Sequence, residues 1–244
     1  MFPILYQCNF FTVYTYGVFV AIAFFVSTGL LIQEARRRHF DENAIYNLCI
    51  VLLIGGIIFA RLFYVGLNWS YFKGDLKEML MLQHGGLVWF GGFIGALLCS
   101  LVFLKVKKLP VLDLLDLLVP YAALAQAIGR IGCFFNGCCY GKECSLGFYF
   151  PVHARILFPS QLLDSLTLLF IFIFLRLIQE KTRRGGVFAF YIMLASLQRF
   201  LMEFVRGDVR PFYYGLSIFQ WISIGLFFCG LLFTLIFLWK KKVV

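Results

Sequence analysis

The chain has 244 residues, of which 62% are hydrophobic and only 14% are charged, and its formal net charge at pH 7 is +10. Soluble domains carry about 25% charged residues, so the composition excludes a soluble globular protein and predicts a membrane protein that crosses the bilayer several times. The basic charge does not indicate a nucleic-acid partner, because the Lys and Arg residues follow the positive-inside bias of short cytoplasmic loops. We expect a single integral membrane domain over residues 1–244.

Seven apolar stretches are long enough to cross a hydrocarbon layer of about 30 Å, which needs about 20 helical residues. They lie near Val13–Gln33, Ile45–Leu67, Leu87–Leu104, Leu109–Phe134, Ser160–Leu177, Val187–Val205 and Leu216–Trp239. The first twelve residues contain no Lys or Arg, unlike the basic start of a secretory signal, so we expect the first span to be retained. The sequence predicts an all-α protein with seven transmembrane helices.

The basic residues of the loops fix the predicted orientation. Thirteen fall on one side: Arg36, Arg37, Arg38, Lys105, Lys107, Lys108, Arg176, Lys181, Arg183, Arg184, Lys240, Lys241 and Lys242. Six fall on the other: Lys73, Lys77, Lys142, Arg155, Arg206 and Arg210. The positive-inside rule then predicts an external N-terminus and a cytoplasmic C-terminus.

The first three spans contain polar or small residues near their outer ends. Tyr16 opens span one, where an aromatic belt at the membrane interface is the simple interpretation. Arg61 lies about 24 Å up span two at about 1.5 Å per residue, from where it could reach the outer headgroups or a ligand. Gly91 and Gly92 open span three, and either close helix packing or the approach of main-chain N–H groups to an anion would explain them.

The organising stretch is Gly129–Gly141, Gly-Arg-Ile-Gly-Cys-Phe-Phe-Asn-Gly-Cys-Cys-Tyr-Gly, where span four meets a polar loop. An unpaired guanidinium in hydrocarbon costs at least about 2.5 kcal/mol, so Arg130 needs a partner or a substrate. Arg199 and Glu203 are four residues apart in span six and share one helix face. The polar residues that fall at the same predicted outer depth are Arg61, Arg130, Asn136, Gln161, Asp164, Arg199, Glu203 and Gln220.

This common depth predicts a positively charged pocket for a phospholipid head group, because the planar fork of arginine suits phosphate oxygens. The structural alternative is that Arg130 pairs with Asp164 and Arg199 with Glu203. That alternative leaves Arg61 without a partner.

Eight cysteines occur, and four of them, Cys133, Cys138, Cys139 and Cys144, cluster near the predicted outer face. An oxidising compartment favours disulfides, so two local bridges are the leading interpretation. The spacing is not that of paired C-x2-C zinc ligands. Metal binding with His153 as a further ligand, and a redox-active thiol, stay open as alternatives.

At these residues the chain resembles the prolipoprotein diacylglyceryl transferases over nearly its whole length. The family signature Gly-Arg-x-Gly-Asn-Phe-x-Asn-x-Glu-x-x-Gly is matched by Gly129, Arg130, Gly132, Phe134, Asn136 and Gly141. Further matches are Tyr16-Gly17, Arg61, the glycine pairs of span three, Pro159-Ser160-Gln161-Leu162 with Asp164, the set Arg199, Glu203 and Arg206, and Gln220.

The departures concern residues that could handle protons. Phe90 stands where the family has histidine, Cys133 and Cys138 where it has asparagine and glutamate, and Ala195 where it has tyrosine. The anion-binding residues are kept. His84, six residues before Phe90, is a possible substitute for the missing histidine.

The resemblance implies transfer of a diacylglyceryl group from phosphatidylglycerol to the lipobox cysteine of exported lipoprotein precursors, with release of glycerol phosphate, at the outer leaflet of the bacterial inner membrane. It implies catalytic roles for Arg130, Arg199 and Glu203. It implies substrate binding by Tyr16, Arg61, Gly91, Gly92, Asn136, Gly141, Gln161, Arg206 and Gln220. We expect no cofactor or metal. The alternatives are a paralogue that uses another acceptor, and a membrane thiol-redox or metal-binding protein built on the outer cysteines.

Overall fold

A computed structural model describes residues 1–8, 12–73, 77–81, 86–208 and 212–239, without the side chains at positions 89, 90, 146 and 237–239. These residues form mainly α-helices. The chain divides into two compact units, one made of Met1–Leu31 with Leu112–Val244 and the other of Ile32–Val111. We refer to them as the large unit and the small unit.

The helices coincide closely with the predicted apolar stretches. They are α1 Thr15–Arg37, α2 Glu42–Leu67, α3 Trp69–Phe72, α4 Trp89–Val106, α5 Val111–Asn136, α6 Ser160–Ile178, α7 Gly186–Val205 and α8 Ile218–Trp239. Within the described residues, six of them are long and apolar enough to cross a membrane, and the apolar stretch Gly91–Val106 of α4 is shorter. The helical, multi-pass architecture is confirmed, whereas the count of seven crossings and the orientation of the termini stay predictions.

The outward faces of the long helices are apolar. Large hydrophobic side chains such as Phe25, Leu62, Phe170 and Phe228 are exposed. Soluble monomers rarely expose contiguous apolar surface of this kind. These faces suit contact with lipid, in agreement with the composition.

In the small unit, α2 and α4 pack through glycines. A Cβ on Gly91 would lie 2.6 Å from the Cβ of Phe63, and one on Gly92 would lie 3.1 Å from the carbonyl oxygen of Gly56. The N–H of Gly92 donates to the carbonyl of Val88 at 3.1 Å, so it is engaged within the helix start. Close packing therefore accounts for these two glycines, and their predicted role in substrate binding stays a prediction.

In the large unit, α5, α6 and α7 share a core. It contains Val119 and Ala123 from α5, Ile171 and Leu175 from α6, and Val187 from α7. Apolar side chains spaced three and four residues apart form one face of each helix, and burying these faces together holds the unit.

The first turn of α7 is capped by a carboxylate from α5. Asp116 Oδ2 accepts a hydrogen bond from the N–H of Gly185 at 2.6 Å, and Oδ1 accepts one from the N–H of Phe188 at 2.8 Å. The first N–H groups of a helix have no partner inside the helix. One turn earlier on α5, Asp113 instead forms an exposed ion pair with Arg184.

Substitution of the buried cap is expected to destabilise the protein. Asp116→Ala leaves two main-chain N–H groups without acceptors, and we expect a loss of about 1–2 kcal/mol in the free energy of unfolding. Asp113→Ala is the matched control, one helical turn away, and should leave stability unchanged because its partner is exposed to solvent. Thermal unfolding of the two purified variants in detergent tests this, and equal unfolding temperatures would contradict the capping role.

Among the described residues, three short pairs of antiparallel strands flank the helices of the large unit. Ile4–Gln7 (β1) pairs with Thr12–Tyr14 (β2) before α1, Glu143–Phe150 (β3) pairs with Arg155–Leu157 (β4) between α5 and α6, and Phe212–Tyr213 (β5) pairs with Leu216–Ser217 (β6) between α7 and α8. The sequence did not predict these strands. They gather the start of α1, the end of α5, the start of α6, the end of α7 and the start of α8.

Candidate functional site

The loop after α5 is tied by its main chain to α6 and α7 at this end of the large unit. Gly141 N donates to Phe158 O at 2.9 Å, and Lys142 N donates to Val205 O at 3.0 Å. A Cβ on Gly141 would lie 2.8 Å from the Phe158 carbonyl oxygen. Only glycine fits there without displacement, so the Gly141 of the signature serves close main-chain packing.

Arg130, near the end of α5, pairs with Asp164 in the first turns of α6. Arg130 Nε lies 3.0 Å from Asp164 Oδ2. The other carboxylate oxygen of Asp164 accepts a hydrogen bond from Gln198 Nε2 on α7. One buried carboxylate thus links three helices and fixes the guanidinium of Arg130.

Arg199, the next residue on α7, pairs with Glu203 one turn further along. Arg199 Nη2 lies 3.2 Å from Glu203 Oε2, and its guanidinium carbon lies 5.0 Å from the centre of the Phe219 ring of α8. A cation over an aromatic face is attracted by the ring electrons. Both pairs that the structural alternative predicted are therefore present.

In each of these two ion pairs the arginine is partly exposed and the carboxylate is buried. A self-contained salt bridge would have both members buried. The side chains of Arg130 and Arg199 are 26% and 24% exposed, whereas those of Asp164 and Glu203 are 4% and 3% exposed. The carboxylates orient the cations from behind. In each pair the arginine is therefore the member more accessible to a ligand that arrives from solvent or lipid.

Gln161 and Ser160 hold the cysteine loop against the start of α6. Gln161 Nε2 donates to the Cys138 carbonyl at 2.7 Å, and Ser160 Oγ donates to the Cys139 carbonyl at 2.8 Å. Both side chains are buried. Gln161 Oε1 is buried without a hydrogen-bond partner within the described residues. Its amide nitrogen therefore anchors the loop, and its predicted substrate contact stays a prediction.

Gln220 and Arg206 have structural partners. The N–H of Ser217 donates to Gln220 Oε1 at 2.9 Å, and the N–H of Gln220 donates to Ser217 Oγ at 3.2 Å. This reciprocal pair is a capping box for α8. Arg206 donates to both oxygens of Asp208, at 3.0 and 2.9 Å. These contacts lie within the protein, and the predicted contacts of Gln220 and Arg206 with substrate stay predictions.

Tyr16 and Asn136 lie beside the cysteines. Asn136 ends α5, two residues before Cys138. Tyr16, exposed at the start of α1, interacts electrostatically with Arg130 and with the nearby thiols. The structure therefore brings Tyr16, Arg130 and the cysteine loop to one locality.

Arg61 belongs to the small unit, where its side chain contacts the main chain. It is buried, and its guanidinium donates four hydrogen bonds of 2.7 to 3.1 Å to the main-chain carbonyls of Glu78, Met79, Met81 and Gly86. It also lies over the rings of Tyr64 and Phe72. These contacts use four of its five N–H donors. Arg61 holds the segment after α3, and its predicted role as a phospholipid ligand stays a prediction.

The cysteines are all free thiols, so the two predicted disulfide bridges are absent. The sulfurs of Cys133, Cys138 and Cys139 nevertheless lie within 4.8 Å of one another. Cys144 lies in β3 and is not part of that group, which removes the fourth sulfur that a second bridge needs. His153 is not a member either, because its Nε2 lies 3.0 Å from the Gly137 carbonyl oxygen.

The thiols after the helix end have shifted acidities. The pKa of Cys139 is lowered, first by hydrogen bonds from the thiols of Cys133 and Cys138 and then by Arg206, against the effect of burial. The pKa of Cys138 is raised, because its hydrogen bond to Cys139 and its burial outweigh the lowering effect of Cys133. Within the trio, negative charge is favoured on Cys139.

Two residues discussed for proton handling fall outside the described part of the chain. They are His84 and the side chain of Phe90. Sequence reasoning also missed Gln198, Ser217 and Asp208 as partners of site residues. Gln198 carried a usable signal, since it is a polar residue within an apolar span and directly precedes Arg199.

Comparison with known proteins identifies the family of this chain. The family model of the prolipoprotein diacylglyceryl transferases matches residues 3–236. A phosphatidylglycerol–prolipoprotein diacylglyceryl transferase of Clostridium tetani is 34% identical over 238 residues, covering 94% of this chain and 95% of the relative. A second enzyme of that name, from Clostridium perfringens, is 34% identical over 229 residues, covering 90% and 89%. That of Pediococcus pentosaceus is 32% identical over 240 residues, covering 92% and 86%. With its paired arginines and signature loop, this chain belongs to the prolipoprotein diacylglyceryl transferase family.

Proposed function

We propose that this protein transfers the diacylglyceryl group of phosphatidylglycerol to the lipobox cysteine thiol of exported lipoprotein precursors and releases glycerol phosphate. One observation carries the proposal. Arg130 and Arg199, from different helices, keep 26% and 24% of their side-chain surface exposed, whereas the carboxylates that pair with them are 4% and 3% exposed. The relatives are named for phosphatidylglycerol as the donor and prolipoprotein as the acceptor.

The two arginines act on the phosphate. When the bond between the glyceryl carbon and the phosphate oxygen breaks, negative charge grows on that oxygen. Cations that are already oriented, here by Asp164 and Glu203, stabilise this charge without reorganising at the moment of reaction. The bidentate donors of arginine match phosphate oxygens, which also positions the lipid.

The membrane supplies the orientation of the site. The bias of thirteen basic loop residues against six supports an arrangement in which α5 ends, and α6 begins, at the outer surface. We place seven crossings in the bacterial inner membrane, with the site facing the outer leaflet. Phosphatidylglycerol is then reached laterally, and the precursor peptide is met after export.

Mass spectrometry of a reconstituted reaction tests the function. The purified protein is incubated with phosphatidylglycerol vesicles and a synthetic lipobox peptide that contains one cysteine. We expect the peptide to gain one diacylglyceryl mass and glycerol phosphate to appear in equal amount. The same peptide with serine, and vesicles of phosphatidylethanolamine, should give no product. A cysteine peptide that stays unmodified, while the Clostridium tetani relative modifies it under the same conditions, would refute the proposal.

A further inference from the structure

The three clustered thiols form a ligand set that the transfer mechanism has not used. Cys133 comes from the end of α5, and Cys138 and Cys139 come from the loop that follows. Their sulfurs lie within 4.8 Å of one another. Zinc binds thiolates at about 2.3 Å, which places the sulfurs of a tetrahedral site roughly 3.8 Å apart. A contraction of about 1 Å at most separates the present arrangement from that geometry.

The main chain holds these ligands before any ion arrives. The carbonyls of Cys138 and Cys139 accept hydrogen bonds from Gln161 and Ser160, and Cys138 N donates to Cys133 O at 3.2 Å. Ser160 and Gln161 are each 1% exposed. A fixed main chain lowers the entropy that binding an ion would otherwise lose.

Within the part of the chain that the structure describes, the group has three ligands and no fourth. His153 is held elsewhere by the Gly137 carbonyl and by stacking on Tyr140, whose ring centre is 4.2 Å away. Structural zinc sites have four protein ligands, whereas catalytic sites have three and leave one position open. Soft thiolate ligands select ions such as zinc over hard cations.

We propose that Cys133, Cys138 and Cys139 bind one Zn²⁺, and that its open position binds the acceptor cysteine of the substrate as a thiolate. The proposal rests on the proposed function and adds to it the group that ionises the acceptor thiol. It replaces our expectation that transfer needs no metal. Arg206, which interacts with Cys139, lies where it offsets the negative charge of a zinc ion with three thiolates.

The departures from the family signature support this role. Four residues of the family are replaced, at Phe90, Cys133, Cys138 and Ala195, and two of the replacements, Cys133 and Cys138, are members of the thiol group. A thiol that coordinates zinc is deprotonated without a general base. The same substitutions that remove proton-handling side chains therefore supply the ligands of an ion that makes such side chains unnecessary.

The step balances without an oxidant or reductant. The acceptor thiol loses its proton to water as its sulfur coordinates zinc. An electron pair of that sulfur then attacks the glyceryl carbon bound to the phosphate oxygen, and a carbon–sulfur bond forms. The carbon–oxygen bond breaks, and its electron pair leaves on glycerol phosphate. The neutral thioether product is a weaker ligand than a thiolate and dissociates, while zinc keeps its charge.

Metal analysis of the reduced, full-length protein tests the site. We expect one equivalent of zinc to stay bound to the unmodified protein and to Cys144→Ser, the matched control outside the group. Cys139→Ser should lower zinc affinity on the order of 100-fold or more, since loss of even an outer partner costs about 10- to 100-fold. Cys139→Asp keeps an anionic ligand and should retain zinc, which separates loss of a ligand from misfolding. Equal zinc content in Cys139→Ser, or no bound zinc in the unmodified protein, would overturn the site.

Cobalt substitution tests the acceptor role. Co²⁺ in the site should show a sulfur-to-cobalt absorption band that grows when the lipobox cysteine peptide is added and does not change with the serine peptide. Removal of zinc by a chelator should abolish lipid transfer, and added Zn²⁺ should restore it. Undiminished transfer by zinc-free protein would overturn this proposal and leave the transferase function standing. Bound zinc and a peptide-dependent cobalt band without lipid transfer would refute the transferase function and leave the thiol-binding site standing.

Discussion

Replacing Arg130 by alanine is expected to lower kcat/KM for lipid transfer by about 10²- to 10³-fold, the usual cost of removing one preorganised donor from a developing oxyanion. The loss should appear mainly in kcat, because the guanidinium interacts more strongly with the leaving phosphate oxygen in the transition state than with the diester in the ground state. Arg199→Ala should behave similarly. The measurement is the rate of peptide lipidation in phosphatidylglycerol vesicles.

Two variants make this result specific. Arg130→Lys keeps the charge but loses the planar fork, so its rate should fall between those of the unmodified protein and Arg130→Ala. Arg155→Ala removes an exposed arginine of the β3–β4 hairpin, which pairs with Glu143, and should leave the rate unchanged. Full activity in both Arg130→Ala and Arg199→Ala would remove the phosphate-binding mechanism.

The helices could be predicted from the sequence because each is a long apolar run bounded by charged or capping residues. The predicted start of span five at Ser160 coincides with the start of α6, and the predicted end of span six at Val205 coincides with the end of α7. The hairpins could not be predicted. Their strands are two to eight residues long, and no strict alternation of apolar and polar residues marks them in the sequence.

The site could be predicted in part. Spacing alone predicted the Arg199–Glu203 pair, since residues four apart on a helix face each other. The Arg130–Asp164 pair was predicted because both residues fall at the same outer depth of their spans. The contact of Gln198 with Asp164 did not, because which face of α7 meets α6 depends on packing that one sequence does not reveal.

For several polar residues, the sequence could not show whether the side chain binds a ligand or stabilises the fold. Gln161 and Gln220 lie in the first turns of α6 and α8, and Arg61 lies six residues before the end of α2. At such positions a side chain can serve either a ligand or the main-chain groups that a helix or loop leaves unpaired. In the structure they hydrogen-bond to main-chain atoms. Resemblance to a family indicates that such residues matter. It does not show whether they matter for ligand binding or for stabilising the fold.

For Arg61 in the small unit, the variant Arg61→Ala distinguishes a role in stabilising the fold from a role in ligand binding. The substitution leaves four main-chain carbonyls without their charged donor, and we expect the free energy of unfolding to fall by about 3–5 kcal/mol. Arg61→Lys keeps a cation with fewer and less directed donors and should lose less. Thermal unfolding in detergent measures both variants.

The same variants decide whether Arg61 also binds lipid. At a temperature where Arg61→Ala is still folded, KM for phosphatidylglycerol should equal that of the unmodified protein, because the guanidinium is buried and donates to Glu78, Met79, Met81 and Gly86. A raised KM for phosphatidylglycerol together with an unchanged unfolding temperature would contradict this expectation. Arg61 would then bind lipid, and its hydrogen bonds to the segment after α3 would contribute little to stability. Its four carbonyl partners favour the first outcome, since each directed hydrogen bond holds the side chain against the segment after α3.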